Sequence, residues 1–268
     1  MFAADARTLS RIAPTIQRVV IVDPNLAAAR LLVDIMKSLG CREVIHEPDA
    51  ARALDAVREI EPGLIFTERL GPRLDGEKLT RTLRRSNLAC RRAPIIMVTA
   101  DATASTIKGA RDCGVHEFLR KPFTSADLFR RVENVALKPR DWIEGVAYVG
   151  PDRRRFNSGE YAGPQKRKQD KPASAAAAAM AVKDQAMRIL AAALAQFDSD
   201  PLQAVRAARQ QAETLKGLAI KTSDAKLAIA AAGLEATLAA GHPTKAVLAH
   251  PIGILLALAA PEQLARAS

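Results

Sequence analysis

Five times along the first half of the chain, a short run of apolar residues is followed by a stretch whose apolar positions recur at three and four. Arg18 to Val22 leads to a pattern through Leu31, Leu32, Ile35, Met36 and Leu39, stopped by Gly40. Glu43 to His46 leads to an Asp49-capped pattern through Leu54, Val57 and Ile60. Leu64 to Phe66 precedes a basic stretch over Glu77 to Asn87, Pro94 to Thr99 precedes one over Ala104 to Cys113, and Glu117 to Lys121 precedes one capped by Ser125 and carrying Leu128, Phe129, Val132 and Val135. The first member of each pair reads as a strand and the second as a helix, with capping residues and glycine at the expected ends. Parallel strands need crossover helices, and right-handed crossovers dominate, so residues 18–137 are predicted to form an α/β doubly wound five-stranded parallel sheet. Residues 1–17 read as a polar lead-in.

Beyond this domain the pattern breaks. Residues 138–172 are rich in Pro, Gly, Arg and Asp and read as a basic linker. Arg153, Arg154 and Arg155, near Tyr148 and Phe156, form a cluster suited either to clamping phosphates or to being a solvated tether. Residues 173–268 include 32 Ala among 96 and predict an all-α segment. Met180, Met187, Leu190, Leu194 and Phe197 make the first helical stripe, and Asp200-Pro201 starts a second with Leu202, Val205, Ala212, Leu215 and Ala219. Ser223 or Asp224 caps a third with Leu227, Ala231, Leu234 and Leu238, ended by Gly241. Pro243 opens a shorter apolar segment interrupted at Pro251, and a four-helix bundle is the economical packing.

Charge changes this picture modestly. The chain of 268 residues carries a net +11, and residues 1–140 hold 24 Lys and Arg against 17 Asp and Glu. Acidic partners are favoured, without choosing among nucleic acid, a nucleotide messenger and an acidic protein face. Cys41, Cys90 and Cys113 lack metal-ligand spacing and no secretory signal precedes them, so reduced thiols in a cytoplasmic protein are expected. The longest uncharged run, Ala246 to Ala260, is too short to span a bilayer.

Candidate chemistry collects where strands end. Asp23, Glu68, Thr99 and Lys121 each follow a predicted strand, and the carboxyl edge of a doubly wound sheet is where ligands bind. The stretch Pro62 to Gly76 resembles the phosphoacceptor segment of two-component response regulator receiver domains: Glu68, Pro72, Asp75 and Gly76 keep the family's spacing. The resemblance extends over residues 18–137, with Lys121-Pro122 after the fifth strand, and implies a receiver-like, flavodoxin-like fold. It assigns metal binding to Asp23 and Glu68, phosphoryl contacts to Thr99 and Lys121, and an aromatic that reports occupancy to Phe118. Two departures follow. The acceptor position holds Glu, one methylene too long for an aspartate's place, and Pro24 stands where a second acid is usual. Mg²⁺ needs well-placed carboxylates, so no metal or cofactor is expected beyond weak Mg²⁺ at Asp23 and Glu68. A salt bridge of Lys121 with these acids and residual Mg²⁺-dependent chemistry both stay open.

The run Glu213-Thr214-Leu215-Lys216-Gly217 resembles the histidine phosphotransfer motif, with Glu213 in place of the phosphorylated His and the fit spanning about residues 175–260. Arg209, Glu213 and Lys216 are spaced to pair along the helix. With both acceptor positions replaced by Glu, the leading expectation is a non-enzymatic pseudo-receiver adaptor of a phosphorelay. Its partner would be a histidine kinase, a phosphotransfer protein or another receiver. An alternative is an effector that binds a cyclic dinucleotide through Arg81, Arg84, Arg85, Arg91, Arg92 and the linker arginines. Sequence-specific DNA binding ranks last, because no basic recognition helix follows.

Overall fold

The computed structural model describes residues 5–153, 174–241 and 243–259. The chain divides into two compact units, Met1–Ile143 with Tyr148–Tyr161, and Glu144–Ala147 with Ala162–Ser268. In the first, β1 (Arg18–Val22), β2 (Glu43–Glu47), β3 (Leu64–Thr67), β6 (Ile95–Thr99) and β7 (Glu117–Arg120) form one parallel sheet in the order β2-β1-β3-β6-β7. Between β3 and β6 lies a small antiparallel pair, β4 (Leu70–Gly71) and β5 (Leu74–Asp75). Alternation along β1 divides the core between two faces. Val19 and Ile21 join Leu32, Met36, Leu128 and Val132 on one face, while Val20 and Val22 join Val57, Leu83, Met97 and Phe118 on the other. The first face is covered by α2 (Leu26–Ser38) and α6 (Ser125–Leu137), the second by α3 (Ala50–Ile60), α4 (Gly76–Arg85) and α5 (Ala104–Cys113).

Three expectations change. Residues 1–17 are not merely a lead-in. Asp5 caps α1 (Ala6–Ile16), whose Ile12 and Ile16 are fully buried in the first face of the core, so this helix is part of the domain. Leu9, Ile12 and Ile16 recur at three and four, so the helical signal stands in the sequence, with Pro14 inside the helix. Thr124, not Ser125, caps α6, in a reciprocal box with Asp127. The stretch read as the start of a linker carries β8 (Trp142–Glu144) and β9 (Val149–Pro151), which form a two-stranded sheet, and Tyr148 is buried with its hydroxyl donating to the Pro151 carbonyl at 2.6 Å.

The buried Arg84 ties the amino edge of the sheet together. Its guanidinium donates to the carbonyls of Gly114 (3.0 Å), Arg91 (2.7 Å) and Ala93 (2.8 Å), and meets His116 Nδ1 at 3.1 Å. These bonds satisfy carbonyls that loops would otherwise leave buried and unpaired. Arg84 and the Ile95 N–H both point at His116 Nδ1, which makes that nitrogen the acceptor and places the ring proton on Nε2. Burial, with Arg84 and Arg140 nearby, holds His116 well below the ordinary imidazole pKa of 6.5. His116 is partly exposed as a residue, but its Nδ1 is closed in by these donors.

In the second unit, α7 (Ala175–Ala195), α8 (Pro201–Thr222), α9 (Ala225–Ala239) and α10 (Lys245–Ala257) share one apolar core. Asp200 caps α8 with Pro201 in its first turn, and Asp224 caps α9, while Ser223 ends α8 in the left-handed region. The stripes shift from expectation: Met180 and Leu202 are exposed, whereas Ala204, Ala207 and Ala208 are buried. Gln203 explains the offset. Its amide is buried and donates to Glu144 Oε1 at 3.1 Å and to the Gly145 carbonyl at 3.0 Å, turning Leu202 outward. Thr244 caps α10, which runs through the buried Pro251 without interruption; the proline's missing N–H gives up one helix hydrogen bond. Among the described residues no helix is long and apolar enough to cross a membrane, and Cys41, Cys90 and Cys113 are free.

The His116 arrangement sets a pH dependence. The unfolded chain takes up a proton at this ring below about pH 6.5, which the folded chain resists, so stability is fullest above that pH and falls as pH drops. Replacing His116→Asn keeps an acceptor near Nδ1 and removes the titration. Urea unfolding between pH 7.5 and 5.5 should show a loss on the order of 1 kcal/mol per pH unit below 6.5 in the parent chain and a flatter profile in the variant. Equal slopes would show that His116 is not the source.

Candidate functional site

The strand order reverses direction at β1, so the loops after β1 and β3 open a crevice between them at the carboxyl edge. Asp23 sits at the end of β1, Glu68 at the end of β3, Thr99 ends β6, and Lys121 follows β7. The structure brings Asp23, Glu68 and Lys121 into direct contact. Lys121 Nζ lies 2.7 Å from Asp23 Oδ2 and 2.7 Å from Glu68 Oε2. The remaining oxygens are also bound: the Asn25 N–H donates to Asp23 Oδ1 at 2.8 Å, and the Arg69 N–H donates to Glu68 Oε1 at 2.7 Å. Burial works against the Lys121 charge, but the hydrogen bonds to Asp23 and Glu68 outweigh it and raise the ammonium pKa.

Thr99 is buried, and its carbonyl accepts from the Lys121 N–H at 2.8 Å, which fixes the start of the Lys121-Pro122 loop. Among the described residues its hydroxyl is not a partner of Glu68. Phe118 pairs across from Met97 in the sheet and is buried in the second face of the core.

Several contributors carried no sequence signal. Arg69 reaches Glu77 Oε1 at 3.3 Å and Asp101 Oδ2 at 3.0 Å, joining the loop after β3 to the loop after β6 across the mouth of the site. Asp101 is held in turn by the Thr106 hydroxyl at 2.9 Å. The β4–β5 turn rests on Pro24, and a Cβ on Gly71 would lie 2.4 Å from the Pro24 ring. At Gly76 a Cβ would meet the Glu68 carbonyl at 2.2 Å, so only glycine lets α4 begin this close to the acceptor position.

The donor set can be set against a divalent cation. Two carboxylates face the crevice, both bound to one ammonium, and Pro24 adds no oxygen side chain. Among the described residues there is no group of three or more His, Cys, Asp and Glu placed to hold a metal ion. Such a set suits a buried ion triad better than octahedral oxygen coordination.

The other sequence-derived residues fall elsewhere. On α8, Glu213 is exposed, and Lys216 does not pair with it along the helix. Lys216 reaches across to Glu235 of α9 at 2.6 Å, and Arg209 donates to the Leu238 carbonyl at 3.3 Å, because the neighbouring helix offers closer acceptors. Gly217 faces open space, with nothing within 4 Å of a built Cβ. The arginines read as one nucleotide surface divide: Arg81 pairs with Glu77 at 3.0 Å and Arg84 is buried on backbone carbonyls, while Arg84, Arg91 and Arg92 all lie over the Trp142 ring, 5.3, 5.7 and 5.6 Å from its centroid. Arg153 lies over the Tyr148 ring at 4.4 Å and pairs with Asp112 at 3.0 Å. Arg154, Arg155 and Phe156 lie outside the described residues.

Residues 19–133 match the family model of the response regulator receiver domain. Protein PilG of Pseudomonas aeruginosa is 31% identical over 117 residues, covering 43% of this chain and 84% of that protein. The DNA-binding response regulator MtrA of Mycobacterium tuberculosis is 28% identical over 116 residues, and the match spans about half its length, 49%, and 43% of this chain. Among solved structures, the receiver domain of the sensor histidine kinase PA1611 from Pseudomonas aeruginosa, with a magnesium ion coordinated in its active site cleft, aligns at 29% identity. That alignment has a TM-score of 0.41 and covers 44% of this chain and 95% of that domain.

The ion triad makes a testable contribution to stability. Replacing Lys121→Met keeps the length of the side chain but leaves two carboxylates facing each other, one of them almost fully buried. The loss should be on the order of 3 kcal/mol in urea unfolding, typical of breaking a buried pair from one side. Adding Glu68→Gln should recover part of it, since the like-charge repulsion goes. An unchanged midpoint in the single variant would mean the triad holds nothing together.

Proposed function

We infer the role of this protein from the premise that the chain belongs to the response regulator receiver family: it is a two-component signalling protein whose receiver site has given up phosphoryl transfer and acts by docking. The observation that carries this reading is the Lys121 ammonium shared between Asp23 and Glu68 at 2.7 Å each. In a working receiver these groups must stay available to a cation and an incoming phosphoryl group. Here each carboxylate oxygen already has a donor, the acceptor is one methylene longer, and Pro24 fills the place of a second acid. Mg²⁺ binding is therefore weak or absent, and the protein is not an enzyme.

The same geometry supports reading Glu68 as a fixed stand-in for the modified state. Its Oε2 reaches the ammonium that would hold a phosphoryl oxygen, and Phe118 is buried, as the family's occupied state requires. The helical unit is read as a four-helix bundle related to phosphotransfer domains, with Glu213 in the histidine position. Its exposed Glu213, Lys216 and open Gly217 would then form a docking face that carries no phosphate. The partners this implies are a histidine kinase, a phosphotransfer protein or another receiver.

Incubation of the full chain with acetyl phosphate and Mg²⁺ tests the reading. Intact mass and peptide mapping should show residue 68 unmodified. Glu68→Asp alone should stay unmodified too, because Pro24 remains. A hydroxylamine-sensitive phosphoryl adduct at Glu68 in the parent chain would overturn the proposal and leave a receiver with residual phosphorylation.

A further inference from the structure

At the opposite edge of the sheet from Lys121 lies a cavity of about 780 Å³. It opens at the amino ends of β3, β6 and β7, where Gly63, Pro94, His116 and Glu117 line it, and at the end of α6. Its volume falls within the range of small-molecule sites, about 300 to 1,000 Å³. The phosphoacceptor chemistry makes no use of it.

The lining has a definite chemistry. Arg92, Lys138 and Arg140 bring three cations to it. The one acid in the wall, Glu117, pairs with the buried Arg131 at 3.1 Å and also feels the charges of Arg140 and Lys138, so the cations outnumber it. Arg140 is fixed in place by donating to the His116 carbonyl, so its charge stays at the cavity. Lys138 is steered by Asn134, whose Oδ1 accepts from its Nζ at 2.9 Å. Beside these cations stands Trp142, the only tryptophan in the chain, with the guanidiniums of Arg84, Arg91 and Arg92 5.3, 5.7 and 5.6 Å from its ring centroid.

A wall that combines an excess of cations with a partly exposed indole suits a ligand that is anionic at one end and a flat ring at the other. Guanidinium and ammonium groups hold phosphate oxygens by charge-assisted hydrogen bonds, and aromatic or guanidinium faces stack on bases. We propose that this cavity is a nucleotide-binding site, in which Arg92, Lys138 and Arg140 hold the phosphate and Trp142 takes the base. The Thr15 hydroxyl and the Asn134 amide, also in the wall, supply polar groups for the edge of the ring. Of the arginines read from the sequence as one surface, Arg92 lines the cavity, and Arg84 and Arg91 lie over the Trp142 ring.

Because Trp142 is the sole tryptophan, emission excited at 295 nm reports on this cavity in the unmodified full chain. Cyclic di-GMP, GMP and inorganic phosphate are the probes, with calorimetry as a second readout. At least one of the two nucleotides should quench Trp142 saturably and release or absorb heat, with inorganic phosphate at the same concentrations far weaker. The double variant Arg92→Ala with Lys138→Ala, both exposed positions that should not disturb folding, is expected to weaken nucleotide binding by about tenfold or more. The control Arg30→Ala with Lys37→Ala removes the same charge from exposed positions on α2 and should leave binding within about twofold. Binding of neither nucleotide, phosphate matching the nucleotides, or equal weakening in both double variants would each overturn the proposal, the last two by reducing it to attraction between a basic protein and anions.

Discussion

One ammonium group holds the functional edge of this protein in shape. Lys121 stands between Asp23 at the end of β1 and Glu68 at the end of β3, so a single cation compensates two carboxylates that the strand order forces together. Removing either carboxylate from water without it would be costly, and leaving both ionised without it more so. The further bonds from the Asn25 and Arg69 N–H groups complete the coordination of the two acids. Arg69 then extends the same arrangement to Glu77 and Asp101, which ties the loop after β3 to α4 and to the loop after β6. Each of the four carboxylate oxygens thereby has a donor, from Lys121 or from a backbone N–H.

The opposite edge is organised by a different cation. Arg84 spends its donors on the carbonyls of Gly114, Arg91 and Ala93, and thereby fixes the neutral tautomer of His116. Arg140 approaches the His116 carbonyl from the segment after α6, so the stretch beyond that helix belongs to the sheet domain's structure. Arginine fits these tasks because its planar fork can serve several carbonyls at once. The two edges therefore divide the basic residues between structure and surface: Arg84 and Arg131 are internal, whereas Arg92 and Lys138 face the cavity.

In the helical unit, small side chains do what leucines do elsewhere. Ala204, Ala207, Ala208, Ala212 and Ala219 bury nearly all their surface on α8, which lets neighbouring helices approach closely and leaves charged residues such as Lys216 within reach of Glu235. That exposed pair contributes little to stability, since both partners keep much of their solvent, and its place on an open face with Gly217 is more informative than its strength.

The sequence by itself determined the five strands, most helix caps and the positions of Asp23, Glu68, Thr99 and Lys121, because apolar runs and capping residues are local signals, and strand ends converge once the sheet is parallel. It also carried Glu at 68 and Pro at 24, which the structure places at the same sheet edge. The partners of those residues were not written locally. Whether Lys121 would bind one carboxylate or both, whether Arg69 would cross to Asp101, and that Lys216 would leave Glu213 for Glu235 depend on distances between segments far apart in the chain. The same holds for Ile12 and Ile16, whose helix gains its meaning only from the face of α6 it covers, and for Trp142 and Arg140, which read as linker until the sheet edge supplied something to pack against. Local patterns encode which faces are apolar. Only the tertiary structure decides which charge is closest, since electrostatic partners are chosen by space and not by spacing.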